Sequence, residues 1–169
     1  MLSYIKWLLG TKEYIDEDRI RHASLGDYTQ TNRLKSGGHG QEAIDYMKKN
    51  NIKYNIIKIY NNGVRVGNVP HHKVKQKKTG VGQSWFPETW TRKKIKRAGQ
   101  VLARRKRKKD GEIIIGFYDK VNIGIKRTNG KIGTIFPMNI QKDKKGREID
   151  EYSKIKGTIR KRKKCRYKR

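Results

Sequence analysis

The chain predicts an α+β fold, with antiparallel sheets and flanking helices. Three observations carry this. The order of patterned segments is loop, helix, two strands, helix, three strands. The strand-like segments are joined by Asn61-Asn62-Gly63 and Asn129-Gly130, turns short enough to connect antiparallel neighbours. Only 33% of the 169 residues are hydrophobic and 35% are charged, which limits the chain to one compact middle with weakly packed ends.

Residues 1–20 read as an N-terminal extension. Ile5, Leu8 and Leu9 share a helical face that Gly10 interrupts. Residues 21–40 are polar and glycine-rich and read as loop. Ala43, Ile44 and Met47 predict a helix over 41–49, which Asn50-Asn51 ends. Residues 52–60 and 64–67 are rich in β formers around the Asn-Asn-Gly turn. A basic loop over 68–83 follows. Pro87 and Glu88 then suit the start of a helix over 88–104, with Trp90, Ile95, Ala98, Val101 and Leu102 on its apolar face. Strands are expected over 112–118, 121–127 and 131–136, the last two joined as a hairpin. The folded domain therefore spans 21–141, followed over 142–169 by a basic tail expected to be disordered.

A formal net charge of +29 marks a polyanion as the partner. Residues 104–109 are six consecutive cations, and residues 154–169 hold ten and no acid, a pattern suited to sequence-independent phosphate binding. Trp85, Trp90 and Tyr118 offer faces for unpaired bases, although a tryptophan on a helix's apolar face belongs to the core. The single cysteine, Cys165, excludes an internal disulfide and a thiolate zinc cluster. His71-His72 has no Cys, Asp or Glu at ligand spacing and reads as basic loop. No metal or cofactor is expected. The apolar stretch near the N-terminus is too short to span a bilayer and lacks the features of a signal peptide, so no membrane anchoring within the chain is expected.

The chemistry is concentrated in two histidines 17 positions apart, His22 and His39, the latter within Ser36-Gly37-Gly38-His39-Gly40. RNA carries its own nucleophile, the 2′-hydroxyl. Cleavage by internal transesterification needs only a base, an acid and a cation near the phosphate. Two imidazoles and a lysine supply these, giving a 2′,3′-cyclic phosphate and a 5′-hydroxyl. The glycines around His39 would let backbone N–H groups approach an anion. A DNA nuclease of the two-metal kind would need an acidic cluster that the chain lacks.

Taken in order, His22, Gly37-Gly38-His39, Gly63-Val64-Arg65-Val66-Gly67-Asn68, Trp85-Phe86-Pro87 with Trp90, and Gly133-Thr134-Ile135-Phe136-Pro137 resemble the bacterial EndoU nuclease domain over about residues 20–141. The resemblance implies a fold of two antiparallel sheets with flanking helices, and an active site of two histidines and a lysine. The histidines fall on His22 and His39, with His39 assigned as base and His22 as acid; the reverse assignment stays open. The lysine falls among Lys73, Lys75, Lys77 and Lys78, and the position shortly before the Phe-Pro segment favours Lys78. The family's Thr-x-Tyr base pocket falls on Thr134 and Phe136, where phenylalanine replaces tyrosine. Gly38 and Ser84 complete the expected substrate contacts. The resemblance further implies an endoribonuclease toxin of bacterial competition, secreted or delivered to act in the target-cell cytoplasm. Transfer RNA is a plausible substrate and an acidic immunity protein the cognate partner. The alternative is a non-enzymatic RNA-binding or ribosome-associated basic protein, which accounts for the charge alone.

Overall fold

The computed structural model of the protein describes residues 15–105 and 109–150. The elements run α1 (Glu17–Ser24), β1 (Asp27–Tyr28), β2 (Leu34–Ser36), α2 (Gln41–Lys49), β3 (Asn55–Ile59), β4 (Arg65–Asn68), a 3-10 turn (Lys75–Lys77), β5 (Gln83–Trp85), α3 (Arg92–Arg105), β6 (Ile113–Tyr118), β7 (Val121–Thr128) and β8 (Lys131–Pro137). The strands pair antiparallel in a β1–β2 ribbon, a β3–β4–β5 sheet and a β6–β7–β8 sheet. The α+β expectation holds, with the small ribbon added to two three-stranded sheets. Among the described residues no helix is long and apolar enough to cross a membrane.

The first correction concerns α1. Residues 21–24, read as loop, are its last turn. The helix is mostly polar, so its apolar stripe is short, but Ile20 and Ala23 are fully buried. Glu17 and Asp18 sit in the first turn and Arg21 and His22 in the last, the charge order that complements a helix dipole. Packing reaches into the expected extension as well, since Ile15 is 1% exposed in the main core. The second correction concerns α3, which starts at Arg92 rather than at Glu88. Residues 87–90 close a turn instead, Trp90 N–H donating to the Pro87 carbonyl at 2.9 Å. The Thr91 hydroxyl then accepts from Lys94 N–H at 3.3 Å, the pattern of a helix N-cap.

Two cores result. The larger joins α1, α3 and the β6–β7–β8 sheet through residues such as Ile20, Phe86, Leu102, Ile123 and Ile135. The smaller packs α2 against β5 through Leu34, Ile44, Met47, Val69 and Trp85. Both Trp85 and Trp90 are buried in these cores and present no face to a base. Phe86 and Trp90 stack on each other at 5.0 Å.

After β8, Lys142 bridges Glu148 and Ile149 packs on the main core. The amphipathic reading of residues 1–14, the centre of the 104–109 basic run and the expected disorder of 151–169 lie outside the described residues.

Candidate active site

Because α1 ends at Ser24, its last carbonyls need partners. The glycine-rich segment provides them. Gly38, His39 and Gly40 donate their N–H groups to the carbonyls of His22, Ala23 and Ser24 at 3.0, 2.7 and 2.8 Å. This pairing brings His39 alongside the helix turn that carries His22. Gly37 and Gly38 have φ of +68° and +72°. A Cβ at Gly37 would lie 2.0 Å from the His22 carbonyl oxygen and 3.1 Å from the His22 ring. The glycines thus serve helix contact, and the amides of Gly38 and His39 are committed to α1 rather than free to hold an anion. Gly38's carbonyl is engaged too. Gln83, fully buried, donates its Nε2 to the carbonyls of Gly37 and Gly38 at 3.1 and 3.0 Å.

The two imidazoles are held differently. His22 is partly exposed at the helix end, its Nδ1 2.7 Å from Asp27 Oδ2. Burial pushes the Asp27 carboxyl up, but the His22 hydrogen bond and charge, the Ser36 hydroxyl and Arg21 together hold it below the usual carboxylate range. Asp27 therefore fixes the ring and gives it a counter-charge. His39 is only 6% exposed. Its Nδ1 lies 2.7 Å from the Ser84 carbonyl, which can only accept, so Nδ1 carries the hydrogen and the neutral ring leaves Nε2 as a lone pair. Burial, then the nearby Lys77 charge, hold the His39 pKa well below the ordinary histidine value; the Ser84 bond opposes them, and His22 and His72 add to the lowering. Neutral at physiological pH, His39 is equipped to accept a proton.

The ammonium that bears on His39 is that of Lys77. Burial lowers its pKa to about 8, and it makes no ion pair among the described residues. The sequence preference for Lys78 needs adjustment here, because Lys78 caps the same 3-10 turn and its charge is felt at His72 rather than at His39. Nothing in four closely spaced lysines tells which side chain a single turn will fold inward. His72, read as basic loop, is fully buried. Its Nδ1 accepts from Val74 N–H at 2.8 Å, its Nε2 has no partner, and burial with the Lys77 and Lys78 charges lowers its pKa to about 4. His71 is exposed, its carbonyl accepting from Arg33 Nε at 3.2 Å.

The opposite wall comes from β8. Thr134 and Phe136 alternate onto one face of the strand and are both half-buried. The Phe136 ring centre lies 5.8 Å from that of His39. Gly124, its partner on β7, has no side chain to lift it; a Cβ there would meet the ring at 2.6 Å. Ser84 is not poised for substrate. It is 2% exposed and its hydroxyl donates to the Pro137 carbonyl at 2.6 Å, so it joins the β3–β4–β5 sheet to the end of β8 while its own carbonyl holds His39.

The site thus assembles His22, His39, Lys77 and Phe136. Sequence reasoning missed Asp27 and Gln83. Asp27 is the one carboxylate between His22 and His39, a signal that was present. Gln83 had none, since its role depends on two carbonyls 45 and 46 residues upstream. Among the described residues no three His, Cys, Asp or Glu side chains converge as metal ligands.

A sequence description of the family "Bacterial EndoU nuclease" matches residues 16–139. Searches of curated proteins and of solved structures give no match.

Proposed function

The chain belongs to the bacterial EndoU nuclease family, and from that premise we propose that it is a metal-independent endoribonuclease toxin cutting RNA by attack of the 2′-hydroxyl. His39 Nε2 takes the 2′-hydroxyl proton as the 2′-oxygen bonds to phosphorus. The phosphorus–5′-oxygen bond breaks, and His22 gives its proton to the departing oxygen. Lys77 faces the charge that accumulates on the phosphoryl oxygens, where a cation in a water-poor site acts most strongly. The products are a 2′,3′-cyclic phosphate and a 5′-hydroxyl. Phe136 offers the adjacent base a stacking face without tyrosine's hydroxyl. The observation that carries this reading is the His39 hydrogen bond to Ser84, which presets the tautomer of a base whose burial keeps it neutral.

An unpaired loop, such as an anticodon loop of transfer RNA, would let a base be splayed against Phe136. A protein of this charge would be blocked by an acidic immunity partner, and the setting would be bacterial competition, with action in the cytoplasm of the target cell.

The test is incubation of the purified protein with end-labelled RNA in excess chelator, followed by analysis of the new ends. Cyclic-phosphate and 5′-hydroxyl ends are expected. A 3′-hydroxyl end, or complete dependence on added divalent metal, would refute the mechanism. Intact RNA after prolonged incubation would favour the non-enzymatic RNA binder, the reading that the charge alone supports.

A further inference from the structure

An open groove of about 900 Å³ lies beside the β6–β7 turn, away from the histidines, lined by Asn62, Phe117, Lys120, Lys144, Lys145 and Arg147 among others. Arg147 is paired with Asp143 at 2.7 Å, but Lys120, Lys144 and Lys145 make no ion pair among the described residues. Asn62 holds the turn, its Nδ2 donating to the Lys120 carbonyl at 3.0 Å.

Strand register connects this groove to the active site. Phe136 pairs with Gly124, and Gly124 pairs with Ile115, so the three form one cross-strand row on the outer face of the sheet. The opposite face, with Ile114, Ile123 and Ile135, is buried against α3. On the outer face Ile113 and Ile115 remain 46% and 47% exposed, and Phe117, next along β6, reaches the groove. Lys120 stands in the turn just before β7, four positions from Gly124. The Phe136 ring covers Gly124, which is buried beneath it; the exposed Ile115 side chain follows across the sheet, Phe117 lies next along β6, and the ammonium groups of the groove lie beyond it.

We propose that this strip is an extended subsite for single-stranded RNA beyond the cleaved bond, with bases lying on Phe136, Ile115 and Phe117, and phosphates held by Lys120, Lys144 and Lys145. The inference rests on the endoribonuclease reading above. An apolar and aromatic strip beside free cations is what an unpaired strand requires, since every base has a stacking face and every phosphate a charge. An acidic protein is the less apt occupant, because the centres of protein interfaces are depleted in lysine.

The experiment compares the wild type with K120A/K144A/K145A, three exposed changes that leave both cores intact. Binding is measured on a single-stranded RNA of about 12 nucleotides carrying 2′-O-methyl groups throughout, so that it cannot be cut. The triple variant is expected to bind about tenfold more weakly, with a salt slope smaller by about 2, as loss of three phosphate contacts on a single strand predicts. On cleavable substrates, KM for the long RNA should rise in step while kcat/KM for a dinucleotide changes less than twofold. Unchanged binding of the long RNA would overturn the subsite, as would an equal loss on the dinucleotide. Loss of affinity for an acidic protein with RNA binding intact would also overturn it, marking the groove as a protein-docking face. Because the binding arm needs no turnover, a wild type that binds but cuts nothing refutes the nuclease reading and still decides the subsite.

Discussion

The half of the molecule that carries the histidines and the half that faces them are built by different means. Before α3, strands are two to five residues long, and the chain is positioned by bonds between a helix end, a glycine-rich segment and a buried glutamine. After α3, three strands of six to eight residues form a regular sheet with a buried and an open face. The irregular half places unusual groups at low exposure: a neutral imidazole, a depressed lysine and an orphaned His72 nitrogen. The regular half contributes a platform. Perturbed titratable groups are gathered where backbone geometry is individually specified, and exposed apolar surface where it is repeated.

The largest effects are expected at the histidines. His39→Ala and His22→Ala should each lower kcat about 10³-fold, while affinity for uncleavable RNA stays within threefold of the wild type; cleavage and filter-binding assays on the same preparations read both. A fall in affinity matching the fall in rate would make these residues part of the platform instead. Next comes the lysine pair. Lys77→Ala should reduce kcat about 10²-fold, and Lys78→Ala should have little effect. The pH profile sharpens this further. Activity requires His39 unprotonated, so it rises through a pKa below the ordinary histidine value. It requires His22 and Lys77 protonated, so it falls on the alkaline side, Lys77 contributing a limb as pH passes about 8. Lys77→Arg should move that alkaline limb upward, because a guanidinium keeps its charge; a limb that stays in place would assign it to another group.

Smaller effects follow from the joints. Gly37→Ala forces a side chain into positive φ and against the His22 carbonyl, and should cost on the order of 2 kcal/mol in denaturant unfolding. A comparable alanine substitution at Gly130, where a Cβ meets nothing within 4 Å, would show only the positive-φ component. The least disruptive change is Phe136→Tyr. Its rate should stay within about threefold, one hydrogen bond's worth, while the added hydroxyl changes base preference in a panel of dinucleotide substrates.

The two halves also differed in how plainly the sequence announced them. The β7–β8 hairpin was legible to within a residue, because Asn129 and Gly130, at φ of +53° and +69°, are what its tight turn demands. The neighbouring β6–β7 turn carries Asp119 and Lys120 at φ of +46° and +64° without a glycine, and only the flanking strands betrayed it. Helix α1 was missed because two buried residues, Ile20 and Ala23, make too short a stripe to show periodicity. His22, His39, Thr134 and Phe136 stood out by motif, and the structure brings both histidines and Phe136 together. Lys77, Ser84 and Gln83 could not be assigned so, since their roles are fixed by contacts with distant segments rather than by their neighbours in sequence.

Ser84 binds His39 with its carbonyl and Pro137 with its hydroxyl. One residue thereby links the His39 ring to the end of a strand 98 positions later in the chain. A nascent chain still threading from the ribosome holds every residue of its N-terminal chemistry and none of the alignment. On the endoribonuclease reading proposed above, RNA near the site of synthesis would meet an unaligned base until β8 has folded.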